Sequence, residues 1–155
     1  MNSISCLPYG AASALVRDEM DDPSPRAGEV VIETEAAGLG YVDALLVAGR
    51  YQVKTPLPFV PGSEVAGRVM ALGEGAPEAL MGKRVMALSP RGALAGKIAL
   101  PAMGCVPVPD AMSAEAAAGF IVSYCTALYG FEDGGTLQSG ATALALCAAG
   151  AVGRA

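Results

Sequence analysis

The sequence predicts a mainly β chain with added helix: a compact barrel of short strands, then the start, one strand, of a doubly wound α/β domain. Three observations carry that expectation. Short β-rich runs punctuated by Pro and Gly occupy the chain as far as Pro101. A helical run follows Pro109-Asp110. Near the C-terminal end, an unbroken apolar run passes directly into a glycine-bearing turn.

Glu29–Glu35 is the first clear strand, with Pro23, Pro25 and Gly28 before it and Gly38 and Gly40 after it. Val65–Leu72 follows Pro61-Gly62 and stops at the Gly73-Glu74-Gly75 turn signal. Arg84–Leu88 and Gly96–Pro101 are two further short runs. Strands at this spacing, with no long helical period between them, favour a barrel over βαβ units. Between the first two strands, Val42, Leu45, Leu46 and Gly49 recur at helical spacing, so Tyr41–Gly49 is expected as a short helix. Ser113 is a candidate N-cap, with Glu115 in the first turn of a helix expected over Ala114–Phe131. Thr142–Cys147 reads as a buried strand without alternation, the pattern of a parallel sheet.

Composition narrows the functions. With 53% hydrophobic and 16% charged residues, the 155-residue chain has the makings of a real core and is not disordered. A net charge of −5 argues against nucleic acid or an anionic membrane as partner, and no basic run exceeds Lys83-Arg84. The absence of histidine removes the commonest general base, the Ser-His and Cys-His pairs, and any zinc site that needs imidazole. Cys6, Cys105, Cys125 and Cys147 are widely spaced, form no close ligand pair, and read as free thiols of a reducing compartment. Counting alone leaves a four-cysteine zinc site open. Met1–Gly10 lacks the basic start and apolar stretch of a signal peptide, and Gly140–Ala155 is too short to span a bilayer. The expectation is a soluble, cytoplasmic protein.

A strand entering Gly150-Ala151-Val152-Gly153 suits a dinucleotide-binding unit, because glycines allow a tight turn and close approach of the backbone to a pyrophosphate. The same residues also suit an ordinary strand-to-helix turn, and Cys147 stands where the first glycine is expected.

Upstream the pattern is more specific. Glu35–Asp43, Gly49-Arg50-Tyr51, Pro56–Gly67, Gly82-Lys83-Arg84-Val85, Pro109–Ser113, Ser123–Ala127 and Leu137–Thr142 occur in collinear order. Together they resemble the medium-chain dehydrogenase/reductase superfamily: a GroES-like domain leading into a Rossmann domain. On that resemblance, residues 1–123 are the GroES-like domain, and residues 124–155 are a linking helix with the truncated start of the nucleotide domain. The superfamily's zinc alcohol dehydrogenases carry cysteine at the position of Gly40 and histidine at that of Ser63. Neither residue here suits zinc, and a four-cysteine lobe is missing between Arg84 and Ala99.

The branch that remains resembles the zinc-independent quinone oxidoreductases, which pass hydride from NADPH to quinones or α,β-unsaturated carbonyls. The resemblance implies NADPH, no metal, a small-molecule acceptor and a homodimer. It places Tyr41 and Tyr51 in the substrate cleft as catalytic residues, with packing at a core or rim as their alternative. It places Gly40, Thr126, Gly150, Ala151, Val152 and Gly153 at the cofactor. Gly40 departs from the family's asparagine, and Thr126 could instead bond its own helix backbone. Asp43 recurs in the family but also suits a helix surface, and Glu64 is expected to be structural. With only one strand of the nucleotide sheet present, the isolated chain is expected to be inactive. A non-catalytic GroES-like binding or assembly module is the alternative.

Overall fold

A computed structural model describes residues 1–155, which form two compact units, Met1–Gly119 and Phe120–Ala155.

In the first unit, β1 (Asn2–Ser5) and β2 (Val16–Glu19) make an antiparallel pair. The main antiparallel sheet contains β3 (Glu29–Gly38), β4 (Glu64–Leu72), β5 (Arg84–Leu88), β6 (Lys97–Pro101) and β7 (Cys105–Pro107), in the order β6-β3-β4-β5-β7. The four strands expected from punctuation all form. β1, β2 and β7 were not legible, being three or four residues long and without clear turn signals.

Connectivity forces this sheet to close. Laid flat, five strands would hold the outer two about 19 Å apart. Yet β6 ends at Pro101 and β7 begins at Cys105, and four residues of chain reach at most about 14 Å. The sheet therefore curls around its inner face, where Val30, Ile32, Val65, Val69, Val85, Ile98 and Leu100 form the buried core.

The other face is covered by helix. α2 (Ala114–Ala118) packs across β3, β4 and β5 and buries Ala117 and Ala118. Ser113 caps it as expected, accepting the Ala116 N–H at 3.2 Å. The Glu115 carboxyl lies below its usual pKa, held there by its own backbone N–H and then by the Ser113 hydroxyl. The close approach of α2 depends on Gly38, since a Cβ there would lie 2.2 Å from the Ala118 carbonyl oxygen.

The single helix expected over Ala114–Phe131 is in fact broken at Gly119, whose backbone leaves the helical region (φ −107°, ψ 13°). α3 (Ile121–Tyr129) resumes it in the second unit, followed by a π turn over Gly130–Gly134. The strand expected at Thr142–Cys147 does not form, and Leu144 and Leu146 are 84% and 76% exposed. A parallel strand needs neighbours to take its N–H and C=O groups, and these residues have none in the chain. The glycine-bearing turn is present: residues 147–150 turn, and α4 (Ala151–Arg154) follows from Gly150.

No helix is long and apolar enough to cross a membrane. All four cysteines are free: Cys6 and Cys105 are buried, Cys125 and Cys147 exposed. Burial pushes both the Cys6 and Cys105 thiols above their ordinary pKa. Titration with an aromatic disulfide reagent at mildly alkaline pH is therefore expected to show two fast thiols, with the other two reacting only in denaturant. A third fast thiol in the native protein would contradict this burial.

Candidate functional site

The corner between β3 and β4 is organised around one carboxylate. After β3 the chain passes through Leu39 and Gly40 into α1 (Tyr41–Val47), whose N-cap is Gly40. Asp43 sits in the first turn, is only 6% exposed, and uses both oxygens. Its Oδ2 accepts the Gly40 N–H at 2.8 Å, and its Oδ1 accepts the Ser63 hydroxyl at 2.7 Å. Asp43 is thus not a helix-surface carboxylate. It ties the start of α1 to the turn that leads into β4.

That turn is held rigidly. Gly62 has φ +100°, and a Cβ would meet the Leu94 nitrogen at 2.8 Å and the Ala93 Cβ at 2.9 Å. Backbone bonds run from Ala93 N–H to Gly62 O, from Leu94 N–H to Pro61 O and from Ser89 N–H to Ser63 O. Glu64 opens β4 opposite Gly38 and is buried, consistent with a structural part.

The two tyrosines behave differently. Tyr41 begins α1 and is 79% exposed, its ring free to meet a ligand. Tyr51 is half-buried and packs against a second small core of Cys6, Leu46, Val47 and Phe59. Its position is therefore fixed by packing as well as by any role in a cleft.

The remaining expected residues belong to the second unit. Thr126 lies in α3 and is exposed. Gly150–Gly153 form the last turn and the start of α4. A Cβ on Gly153 would stand 2.5 Å from the Cys147 carbonyl oxygen, and one on Gly150 would stand 3.3 Å from it. The turn is thus closed in a way that only glycine permits at 153, which leaves bare backbone able to approach a pyrophosphate. Cys147 adopts φ +55°, the left-handed region that favours glycine, which is the backbone the first glycine of such a turn supplies.

Sequence reasoning missed Ser63 as the partner of Asp43. The spacing Gly40-x-x-Asp43 does signal an acid reaching back to its own helix start. A partner twenty residues along the chain leaves no such local sign.

The donor set at this corner does not fit zinc. Gly40 and Ser63 supply neither thiol nor imidazole, and Asp43 between them has both oxygens committed. No group of three or more His, Cys, Asp or Glu residues gathers anywhere in the structure.

A curled antiparallel sheet entered through a rigid Pro-Gly-Ser-Glu turn and backed by a short helix is the architecture of one domain class, and the comparisons agree. The chain belongs to the alcohol dehydrogenase GroES-like domain family, which matches residues 26–110. The resemblance to medium-chain dehydrogenase/reductase quinone oxidoreductases read from the sequence holds for this N-terminal part of them. Over 133 residues the chain is 38% identical to the human "Synaptic vesicle membrane protein VAT-1 homolog", covering 86% of this chain and 34% of that protein. It is 33% identical over 140 residues to a "Quinone oxidoreductase-like protein 2 homolog" of Nematostella vectensis, covering 90% of this chain and 38% of that one. Among solved structures, the quinone oxidoreductase of Thermus thermophilus, determined also as its complex with NADPH, matches with a TM-score of 0.87. That match is 34% identical and covers 99% of this chain and 48% of the other. The chain therefore spans about a third of the length of these curated relatives and about half of that solved chain.

Proposed function

We propose that this chain supplies the barrel half of an NADPH-dependent oxidoreductase that passes hydride to quinones or α,β-unsaturated carbonyls without a metal ion. One observation carries the metal-free part: Asp43 bridges Gly40 and Ser63, so the corner is held together by hydrogen bonds where a zinc enzyme would need ligands. NADPH, when bound, supplies the hydride. The chain's own residues bind and orient. Gly150, Ala151, Val152 and Gly153 offer bare backbone to the pyrophosphate, and Thr126 offers a hydroxyl to the nicotinamide amide. Gly40 lies beside the nicotinamide ring. The Tyr41 phenol, exposed on α1, stacks on a planar acceptor and donates to its oxygen, with Tyr51 forming the packed wall of the cleft. In this reading the protein works in the cytoplasm as a homodimer, and the 155 residues alone are inactive.

The test is a chimera joining this chain to the remainder of a quinone oxidoreductase, assayed for loss of NADPH absorbance with a benzoquinone. Quinone-dependent oxidation that withstands a metal chelator is expected from the chimera, and none from the 155-residue chain alone. Chelator-sensitive activity would refute the metal-free reading, and turnover by the isolated chain would refute its inactivity. A second reading, a non-catalytic binding module, is favoured by Gly40, which offers the nicotinamide no side-chain amide. It takes precedence if the chimera folds and binds NADPH but oxidises none.

A further inference from the structure

The first unit contains a groove of about 450 Å³ between the β1–β2 pair and the second half of β3; its Ala93-Leu94 edge also braces the turn before β4, but Asp43 does not line it. Its apolar surface comes from Ile4, Ala36, Ala37 and Leu94, and Arg17 and Thr34 also line it. Two features set it apart from an ordinary surface depression.

The first is uncompensated charge. Arg17, on β2, makes no side-chain hydrogen bond or ion pair. The one acid lining the groove, Glu35, is committed elsewhere: Arg84 Nε donates to it at 2.6 Å and Arg68 Nε lies 3.7 Å away. The groove therefore presents a free guanidinium above an apolar floor.

The second is an orphaned hydroxyl. Thr34 Oγ1 is shut off from solvent and has no hydrogen-bond partner, although buried polar groups nearly always find one. It stands beside a register shift between Thr34 and Ala36, where β3 pairs irregularly with β4. Such bulges re-aim side chains and favour ligand sites.

We propose that this groove binds a small amphipathic monocarboxylate. One carboxylate oxygen meets Arg17, and the other meets the Thr34 hydroxyl after rotation about χ1. The hydrocarbon lies on the alanine floor. Charge complementarity selects an anion, a single free cation selects a monoanion, and the floor selects an apolar body. This inference is independent of the NADPH reading.

The 155-residue chain would be titrated with hexanoate while its backbone amides are followed by NMR. Saturable shifts confined to residues 2–4, 17, 34–37 and 93–96 are expected. Hexanol, which lacks the charge, and acetate, which lacks the body, should each bind at least about tenfold more weakly. Arg17→Gln should lose about tenfold in affinity and Thr34→Val about threefold, both remaining folded because Arg17 is exposed and valine matches threonine in shape. Absence of saturable shifts up to about 10 mM hexanoate overturns the proposal. So does full affinity in either variant, or acetate binding as tightly as hexanoate.

Discussion

Asp43→Ala is expected to destabilise the first unit by about 3 kcal/mol, because two charge-assisted hydrogen bonds are lost together. Asp43 is 6% exposed, and its carboxylate holds both Gly40 and Ser63, the latter twenty residues further along the chain from Asp43. Without it the Ser63 hydroxyl loses its acceptor and the start of α1 loses its tether to the β4 turn. Asp43→Asn keeps the shape but presents N–H₂ to one of two donors, so it should recover only part of the loss. Ser63→Ala removes one bond and should cost less than Asp43→Ala. Urea denaturation of the three variants measures the series. A loss below about 1 kcal/mol for Asp43→Ala would mean that the bridge is not a significant tie.

Gly67→Ala should have a still larger effect, more than about 3 kcal/mol and enough to prevent folding of the barrel. Gly67 lies in β4 opposite Thr34, at the centre of the sheet. A Cβ there would stand 2.0 Å from the Glu33 carbonyl oxygen and 2.9 Å from the Ile32 Cγ2. The obstruction is backbone, so no side-chain rotation relieves it, and the β3–β4 pair would have to separate. Gly104→Ala is the control, because an added Cβ there meets nothing within 4 Å and its φ is not positive. Circular dichroism melting is expected to leave Gly104→Ala near the parent and to show Gly67→Ala unfolded or melting far lower. Equal melting of the two would contradict the packing at this crossing.

The sequence by itself determined the pieces whose causes are local. Pro and Gly punctuation marked the ends of four strands, the Ser113 hydroxyl with Glu115 marked the start of α2, and apolar spacing marked α1. The absence of histidine and the residues at 40 and 63 also narrowed the chemistry before any fold was known. Signals carried by four residues or fewer were lost. β1, β2 and β7 are too short to show alternation, and Gly119 broke a helix whose composition otherwise argued for continuity. Thr142–Cys147 shows the opposite failure: its composition is that of a buried strand, but pairing is a property of neighbours, and it has none.

Only the tertiary structure decided what Asp43 is for. From the sequence it is an acid at the third position of a short helix, equally suited to solvent. The antiparallel pairing of β3 with β4, which sets Gly38 opposite Glu64, brings the turn before β4 against the start of α1 and turns that acid into a buried tie. The closing of distant segments depends on the summed path of the chain, and no window of neighbouring residues carries that sum.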